Sequence, residues 1–418
     1  MVAEIKDYDI EETRKLASIR VVDAIEPIEG ADAIELAVVG GWKVVTKKGE
    51  FKPGDLAVYF EIDSFLPDGV PAWQFLIDKQ SRTQNNVVGH RLRTIRLRGQ
   101  ISQGLILPVT ALADKLANVE KIEEGLNVTA VLDIVKWDPP LPAQLAGMAA
   151  GLFPSFIQKT DQERAQNLSG EIFGYEDVKV MLDVNVDQLD VTAIDHGRVT
   201  VIDGVAYSVK RAKASRDTIY EVTMKMDGSS ATFFHNEGEV GVCSRNLQLK
   251  TSDENKDNSF VRILFDSGLA DLLPKLGNLA IQGELMGPGI QGNREGSSGF
   301  KVYVFDVQLL DERRKMTPIE RYALMRLLYA GGVNSDLLLH SPVMIAPNLF
   351  VTDVRDIPDN HDGFKLSELN VDTMEKILAF AEGKSLVHNV REGLVYKRMD
   401  GGFSFKTISN AFLAKEKD

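Results

Sequence analysis

The chain has 418 residues, 44% hydrophobic and 26% charged, with a formal charge of −13 and one cysteine, Cys243. That length provides for two or three domains, the lone thiol excludes an internal disulfide or a cysteine-rich zinc site, and no apolar run reaches the roughly 18 residues that a membrane helix needs. Taken alone the acidic average argues against a nucleic-acid partner, but it leaves room for a local basic patch.

The opening, MVAEIKDYDIEETRK, is polar and carries no secretion-type apolar stretch. With a single cysteine, a reducing, cytoplasmic setting is expected. Residues 1 to about 135 read mostly as strands. IRVVDAIEPI, IELAVVGGWKVVTKKGEF, DLAVYFEID and HRLRTIRLRGQISQGLILPV are β-branched runs broken by Gly, Pro and Asp. Short, closely spaced strands without strong helices between them predict a small closed barrel, with GVPAWQFLIDK as a short helix inside it. Arg91 and Arg93 are two apart, as are Arg96 and Arg98, so on strands each pair would share a face. Such a face is either plain solvated surface or a track for phosphates.

Residues 136 to 175 change character. PPLPAQLAGMAAGLFPSF reads as a connector with short helical pieces, and KTDQERAQNLSGEIF reads as a helix capped near Thr160 or Asp161. From about 176 to 216 the pattern alternates again. VIDGVAYSV carries an Asp-Gly between two β runs, a hairpin signal, and this stretch reads as a β-rich insertion. The catalytic part is expected over 217 to 418. Its strand signals are IYEVTMK, SATFFH, EVGVCSRN, NLAIQGELMG and VYVFDVQLL. Helical spacing marks FVRILFDSGLADLLPKL, PIERYALMRLLYAGG and VDTMEKILAFAEGKSLV. REGLVYKRMDGGFSFKTISNAFL gives two closing strands joined by MDGG.

Within that part, TMKMDGSSATFF puts Lys225 two places before an Asp-Gly pair. A bare K-x-D-G match arises often by chance, and read alone it is a hairpin with a surface lysine. Residues further along the chain change its weight. Arg245 comes at a strand end in CSRN, and Glu284 on a strand before a Gly-rich loop that holds Gln291 and Asn293. Phe305 lies in VYVFDV, Glu392 immediately before a Gly and a strand, and Lys406 on the last strand. Taken singly, an apolar-strand Phe is usually core and a lone Glu is usually solvated.

Together these residue types make one chemistry. A deprotonated lysine amine can attack the α-phosphorus of a nucleotide. A nearby cation must depress its pKa from about 10.4. Three carboxylates can hold one magnesium directly or through its waters. A second lysine can stabilise the charge of the pentavalent transition state, and an aromatic can stack on the base.

In that order the motifs K-x-D-G, S-R-N, strand-G-E, V-F-D, E-G-L-V-Y-K and F-K resemble the covalent nucleotidyltransferase superfamily of ATP-dependent polynucleotide ligases and capping enzymes. SFKTISNAFL, GELMGPGIQGN and FPSFIQKTDQERAQNL look like its RNA ligase subgroup with an N-terminal OB barrel, and LRTIRLRGQISQGLILPV looks like the end of that barrel. The likeness covers nearly the whole chain apart from about 176 to 216. It implies an α+β protein: an OB-like barrel followed by an antiparallel-sheet nucleotidyltransferase (ATP-grasp-like ligase) domain. The implied cofactors are ATP with Mg2+ or Mn2+.

By the same resemblance Lys225 is the adenylylated nucleophile, and Asp227, Glu284 and Glu392 hold the metal through its water shell. Arg245 contacts the ribose, Phe305 stacks on adenine, Lys406 contacts the α-phosphate, and Arg164 helps to bind ATP or phosphate. The implied substrate is RNA with 3′-OH and 5′-phosphate ends, as a nicked duplex or broken strands, gripped by Arg91, Arg93, Arg96 and Arg98. No membrane partner is implied. DNA ligases and capping guanylyltransferases usually place the barrel after the catalytic domain, whereas here its signal comes first. An inactive RNA-end-binding relic is the reading from another class. A metal hydrolase fits less well, because the six histidines are scattered. Two departures stand out: Ser404 occupies a place where the family often has a lysine, and the stretch between Arg164 and Lys225 is longer than the subgroup needs.

Overall fold

The computed structural model describes residues 15–138, 147–173, 175–181, 198–202, 205–213 and 218–415, the three short segments from 175 to 213 as backbone only. The polar opening, much of the Pro-rich stretch and the Asp203-Gly204 turn lie outside these residues. Two compact units divide at Pro142/Ala143, with the chain from Leu413 onward grouped with the first.

In the first unit the strands are β1 Ala17–Val21, β2 Ala24–Pro27, β3 Ile34–Val39, β4 Trp42–Lys47, β5 Leu56–Phe60, β6 Ser64–Pro67, β7 Arg82–Gln84, β8 Val87–Arg91, β9 Thr94–Leu97, β10 Gln100–Gln103, β11 Leu105–Pro108 and β12 Val135–Lys136. They pair as β1-β5-β11, β2-β3-β4, β9-β10 and β12-β6-β8-β7. Val45 N–H reaches Ser102 Oγ at 3.0 Å and ties β4 to β10. The predicted short helix is present as Gln74–Lys79, led in by a 3-10 turn over Pro71–Trp73. Trp42 stacks on Tyr59 in one apolar cluster, and Phe60 packs edge-on to Trp73 in another.

Here the paired-arginine expectation is corrected. Arg91 ends β8, and Arg93 follows outside any strand. Arg96 lies on β9, but Arg98 and Gly99 form the two-residue turn between β9 and β10, with φ of 49° and 80°. Positive φ at both turn residues matches the twist of a tight hairpin. Neither pair therefore shares a strand face.

The second unit begins with β13 Ala149–Leu152 and β14 Glu163–Arg164. The described connector mixes short strands with short helical pieces, so it is not helical throughout. The single long helix expected from Thr160 is also absent. β14 pairs in parallel with a strand near the C-terminus, a 3-10 turn follows over Ala165–Asn167, and a short helix covers Ser169–Phe173. A distant strand edge outweighs local helix propensity there. β15 Tyr175–Met181, β16 Arg198–Ile202 and β17 Val205–Lys213 form a separate antiparallel sheet in the order β15-β17-β16.

The remaining strands are β18 Ile219–Lys225, β19 Ser229–Asn236, β20 Glu239–Cys243, β21 Leu247–Leu249, β22 Leu279–Met286, β23 Lys301–Leu309, β24 Arg314–Lys315, β25 Leu338–His340, β26 Val343–Ala346, β27 Leu349–Val351, β28 Phe364–Lys365, β29 Gly393–Arg398 and β30 Ser404–Ile408. One sheet runs β13-β21-β20-β19-β22-β23-β24, with β25 beside β23. The other runs β14-β30-β29-β18-β26-β27, with β28 beside β18. The expected helices are shorter than their sequence patterns. The first spans Ser259–Asp266 and stops at Ser267-Gly268, where Gly268 is left-handed. Pro318–Ala330 opens with a Thr317/Glu320 capping box, and the third covers Met374–Phe380.

Strand period sorts the side chains of β18. Tyr220 and Val222 join an apolar cluster with Leu394, Tyr396 and Phe405, so Glu221, Thr223 and Lys225 take the opposite face. Cross-strand partners share a face. Glu221 opposes Lys397, Thr223 opposes Val395, and Lys225 opposes Gly393; one strand further, Lys397 opposes Ser404 and Val395 opposes Lys406. One sheet face thus carries Lys225, Lys397 and Lys406.

Candidate active site

Lys225 closes β18, and its Nζ lies 2.6 Å from Glu392 Oε1. Glu392 stands immediately before Gly393, the register partner of Lys225. Glu284 arrives on β22 and accepts the Gly228 N–H at 3.1 Å, which fastens the K-x-D-G turn to the neighbouring sheet. The glycine has a steric reason. A Cβ on Gly228 would stand 2.4 Å from Leu285 O and from Met286 Sδ. Gly393 is equally confined, since its Cβ would meet Thr407 O at 2.0 Å. These motif glycines let strands approach closely enough to bring the lysine and the carboxylates together.

Asp227 is met by a residue that the sequence reading missed. Arg294 Nε is 3.7 Å from Asp227 Oδ2, and the same guanidinium lies 4.6 Å above the Phe412 ring. Its NH2 donates to Val390 O at 3.3 Å. The Gly-rich loop presents it: Gln291 and Asn293 adopt positive φ, and Asn293 brackets Ser297 with two hydrogen bonds.

The charges are strongly coupled. Burial pulls the Lys225 amine down, but Glu392, Glu284 and Asp227 outweigh it and hold it above the ordinary lysine value. Burial pushes Glu284 up to about 7; Glu392 and Asp227 add to this, and Lys225 opposes it. Among the described residues no three His, Cys, Asp or Glu are arranged to ligate a metal directly. Glu392 Oε2 is nevertheless buried with no hydrogen-bond partner among the described residues. An orphaned carboxylate oxygen, beside a second carboxylate that resists ionisation, fits a hydrated divalent cation held through its waters.

Phe305 is re-aimed by a β-bulge. Gln282 opposes Asp306 while Gly283 opposes Val304, which leaves Phe305 as the extra residue of β23. It is only partly buried, unlike its strand neighbours Val304 and Asp306. Lys397, a second missed residue, lies 5.8 Å from the Phe305 ring centroid, donates to Phe305 O and pairs with Asp306 Oδ1 at 2.5 Å. Burial, opposed by Asp306 and assisted by Arg321, lowers the Lys397 amine to about 8. A lysine at 404 would sit directly opposite this one, and a serine avoids that like-charge pair.

Lys406 is nearly buried and pairs with Asp161 at 2.9 Å. Arg164 is buried and is the register partner of Lys406 on the adjoining strand, so the long stretch before Lys225 does not separate them. Arg245 is exposed in the turn between β20 and β21, and no described contact joins it to the lysine–carboxylate group. The four barrel arginines belong to the first unit. Arg91 is bound to Asp63 at 2.6 Å, and Arg96 donates to Gly99 O at 3.2 Å.

A lysine among acidic side chains, two further lysines on the same sheet face and a bulged aromatic define a nucleotidyltransferase-type site. An OB-fold domain family matches residues 16–109, and the RNA ligase family matches residues 218–408. Solved structures of Naegleria gruberi RNA ligase match nearly end to end. A substituted apo form is 38% identical over 96% of this chain and 98% of that chain, with a TM-score of 0.72. The form with pyrophosphate is 38% identical over the same shares, with a TM-score of 0.71. A variant with ATP and Mn is 38% identical over 96% of this chain and 97% of that one, with a TM-score of 0.70. No curated protein matches the chain. The chain belongs to the RNA ligase family, and it combines an OB-fold domain with an α+β nucleotidyltransferase domain.

Proposed function

We propose that the protein is an ATP-dependent RNA ligase that works through a Lys225–AMP intermediate and seals 3′-OH to 5′-phosphate ends, with RNA nick repair as its setting in the cytoplasm. The observation that carries this reading is the 2.6 Å approach of Lys225 Nζ to Glu392 on a sheet face that also holds Lys406. The relatives solved with ATP, AMP or Mn support the choice of nucleotide and of a divalent ion, and Mg2+ is proposed beside Mn2+.

In the first step the Lys225 nitrogen forms a bond to the α-phosphorus, and the bond to the β-phosphate oxygen breaks to release pyrophosphate. The amine must lose a proton, and Glu392 Oε1 is placed to accept it. By themselves the carboxylates keep this amine protonated; a divalent ion held through its waters by Asp227, Glu284 and Glu392 counters their charge and that of the α-phosphate. Phe305 offers a ring to the base. Lys406 offers an ammonium to the α-phosphate, with Arg164 on the next strand as a second cation. Arg245, exposed in the turn between β20 and β21, is assigned to the ribose. AMP then passes to the RNA 5′-phosphate, and the 3′-hydroxyl displaces it to close the strand. Arg96 and Arg98, exposed at the β9–β10 hairpin, together with the half-buried Arg91 and Arg93, serve strand binding in the OB domain.

Incubation with α-labelled ATP and a divalent ion, followed by denaturing electrophoresis, tests the reading. Wild type should carry the label and Lys225→Ala should not. Equal labelling of the two would refute the nucleophile assignment.

A further inference from the structure

Asp161 stands on a segment that is fixed on both sides. On its N-terminal side the Gln158 carbonyl accepts from the side chains of Gln282, at 3.0 Å, and Gln308, and the Gln158 N–H donates to Gln308 Oε1 at 2.9 Å. Thr160 Oγ1 lies 2.6 Å from Asp306 Oδ2, 2.8 Å from Gln282 Oε1 and 2.9 Å from Lys315 Nζ. On its C-terminal side Glu163 and Arg164 pair with β30 in register with Phe405 and Lys406. Between these anchors the Asp161 carboxylate meets Lys406 Nζ at 2.9 Å.

We infer that Asp161 is a positioning residue for Lys406, and that the Thr160-Asp161 dipeptide links the base end of the site to its phosphate end. The inference rests on the function proposed above and extends it to a residue outside the motifs. Lys406 has a long, flexible stem whose rotamer freedom must be frozen at an entropic cost. Its backbone alone therefore does not set where the ammonium points. An ammonium carries three donors, so a pair with one carboxylate fixes its direction without exhausting it. The Lys406 side chain is 9% exposed and that of Asp161 39%, so the pair lies at the margin of the buried zone. Thr160 in turn is bound to Asp306, the residue after Phe305. A shift of the base platform is thereby transmitted through two residues to the phosphate lysine.

The experiment is single-turnover self-labelling with α-labelled ATP, followed over hours, in a double-mutant cycle of Asp161 and Lys406. Asp161→Ala should slow labelling about tenfold, corresponding to about 1.4 kcal/mol, with ATP half-saturation changed less than about twofold. Asp161→Asn, whose amide oxygen still accepts from the ammonium, should fall between Asp161→Ala and wild type. In a Lys406→Ala background, Asp161→Ala should have no further effect. An equal slowing in both backgrounds, or a rise in half-saturation with an unchanged rate, would overturn the positioning role. Failure of wild type to label at all would instead overturn the function on which the inference rests.

Discussion

Replacement of Arg321 by methionine probes the buried charge that sets the Lys225 strand. Arg321 lies on the helix Pro318–Ala330 and Glu221 on β18, and both side chains are 0% exposed. Arg321 NH2 meets Glu221 Oε2 at 2.5 Å, and Tyr322 OH donates to Glu221 Oε1 at 2.6 Å. Removal of the guanidinium strands an ionised carboxylate in the core. Breaking a buried pair from one side costs about 3–5 kcal/mol, whereas replacing both partners with apolar groups of similar volume is often near neutral. A typical fold is stable by about 5–15 kcal/mol, so the single variant loses about a fifth or more of it. With a urea slope of about 3 kcal/mol/M, the midpoint of the second unit should fall by about 1–1.7 M. Glu221→Gln combined with Arg321→Met should recover at least half of that loss. The assay is urea unfolding followed by far-UV circular dichroism. A midpoint shift under about 0.3 M for Arg321→Met, or a double variant worse than the single, would refute the claim that an uncompensated charge causes the loss.

Three further outcomes are expected from the same structure. His340 gives its Nδ1–H to Ser341 O and accepts from Arg321 Nε at Nε2, so its neutral form uses both nitrogens; burial first, then Arg321, lowers it to about 3. The unfolded ring titrates near pH 6.5, so between these values the unfolded chain binds the extra proton and stability falls as pH drops from about 6.5 towards 3, by at most about 5 kcal/mol. Urea midpoints from pH 7 to 5 should show that slope, and His340→Gln should flatten it. Gly228→Ala drives a methyl into Leu285 O and Met286 Sδ; about 1–3 kcal/mol of destabilisation and at least about a tenfold loss of self-labelling are expected, read by melting and electrophoresis. Phe305→Ala should raise ATP half-saturation up to about tenfold with little change in unfolding midpoint, because its ring is only partly buried.

The site was legible wherever the chemistry is written in short strings on strands. Lys225, Glu284 and Glu392 flag themselves by the glycines beside them, and the structure supplies the reason in the close approaches at Gly228 and Gly393. Residues brought in by tertiary pairing were not legible. Lys397 meets Asp306 across 91 positions and Lys406 meets Asp161 across 245, so no local pattern announces either pair. Arg294 needed the path of the Gly-rich loop, which depends on positive φ at Gln291 and Asn293 rather than on periodicity. The same limit explains the errors in the fold. KTDQER has helical composition, but the free edge of β30 takes Glu163 and Arg164 as a parallel strand. Arg98 looked like a strand position because its spacing from Arg96 is two, and the glycine after it, which signals a two-residue turn, was the better guide.

Peptide mass mapping after incubation with ATP and a divalent ion tests the covalent step most directly. Proteolysis should yield one modified peptide, with adenosine monophosphate on the side-chain nitrogen of Lys225 through an acid-labile bond. AMP on any other residue, or none on a folded protein that still joins RNA ends, would contradict the Lys225 assignment.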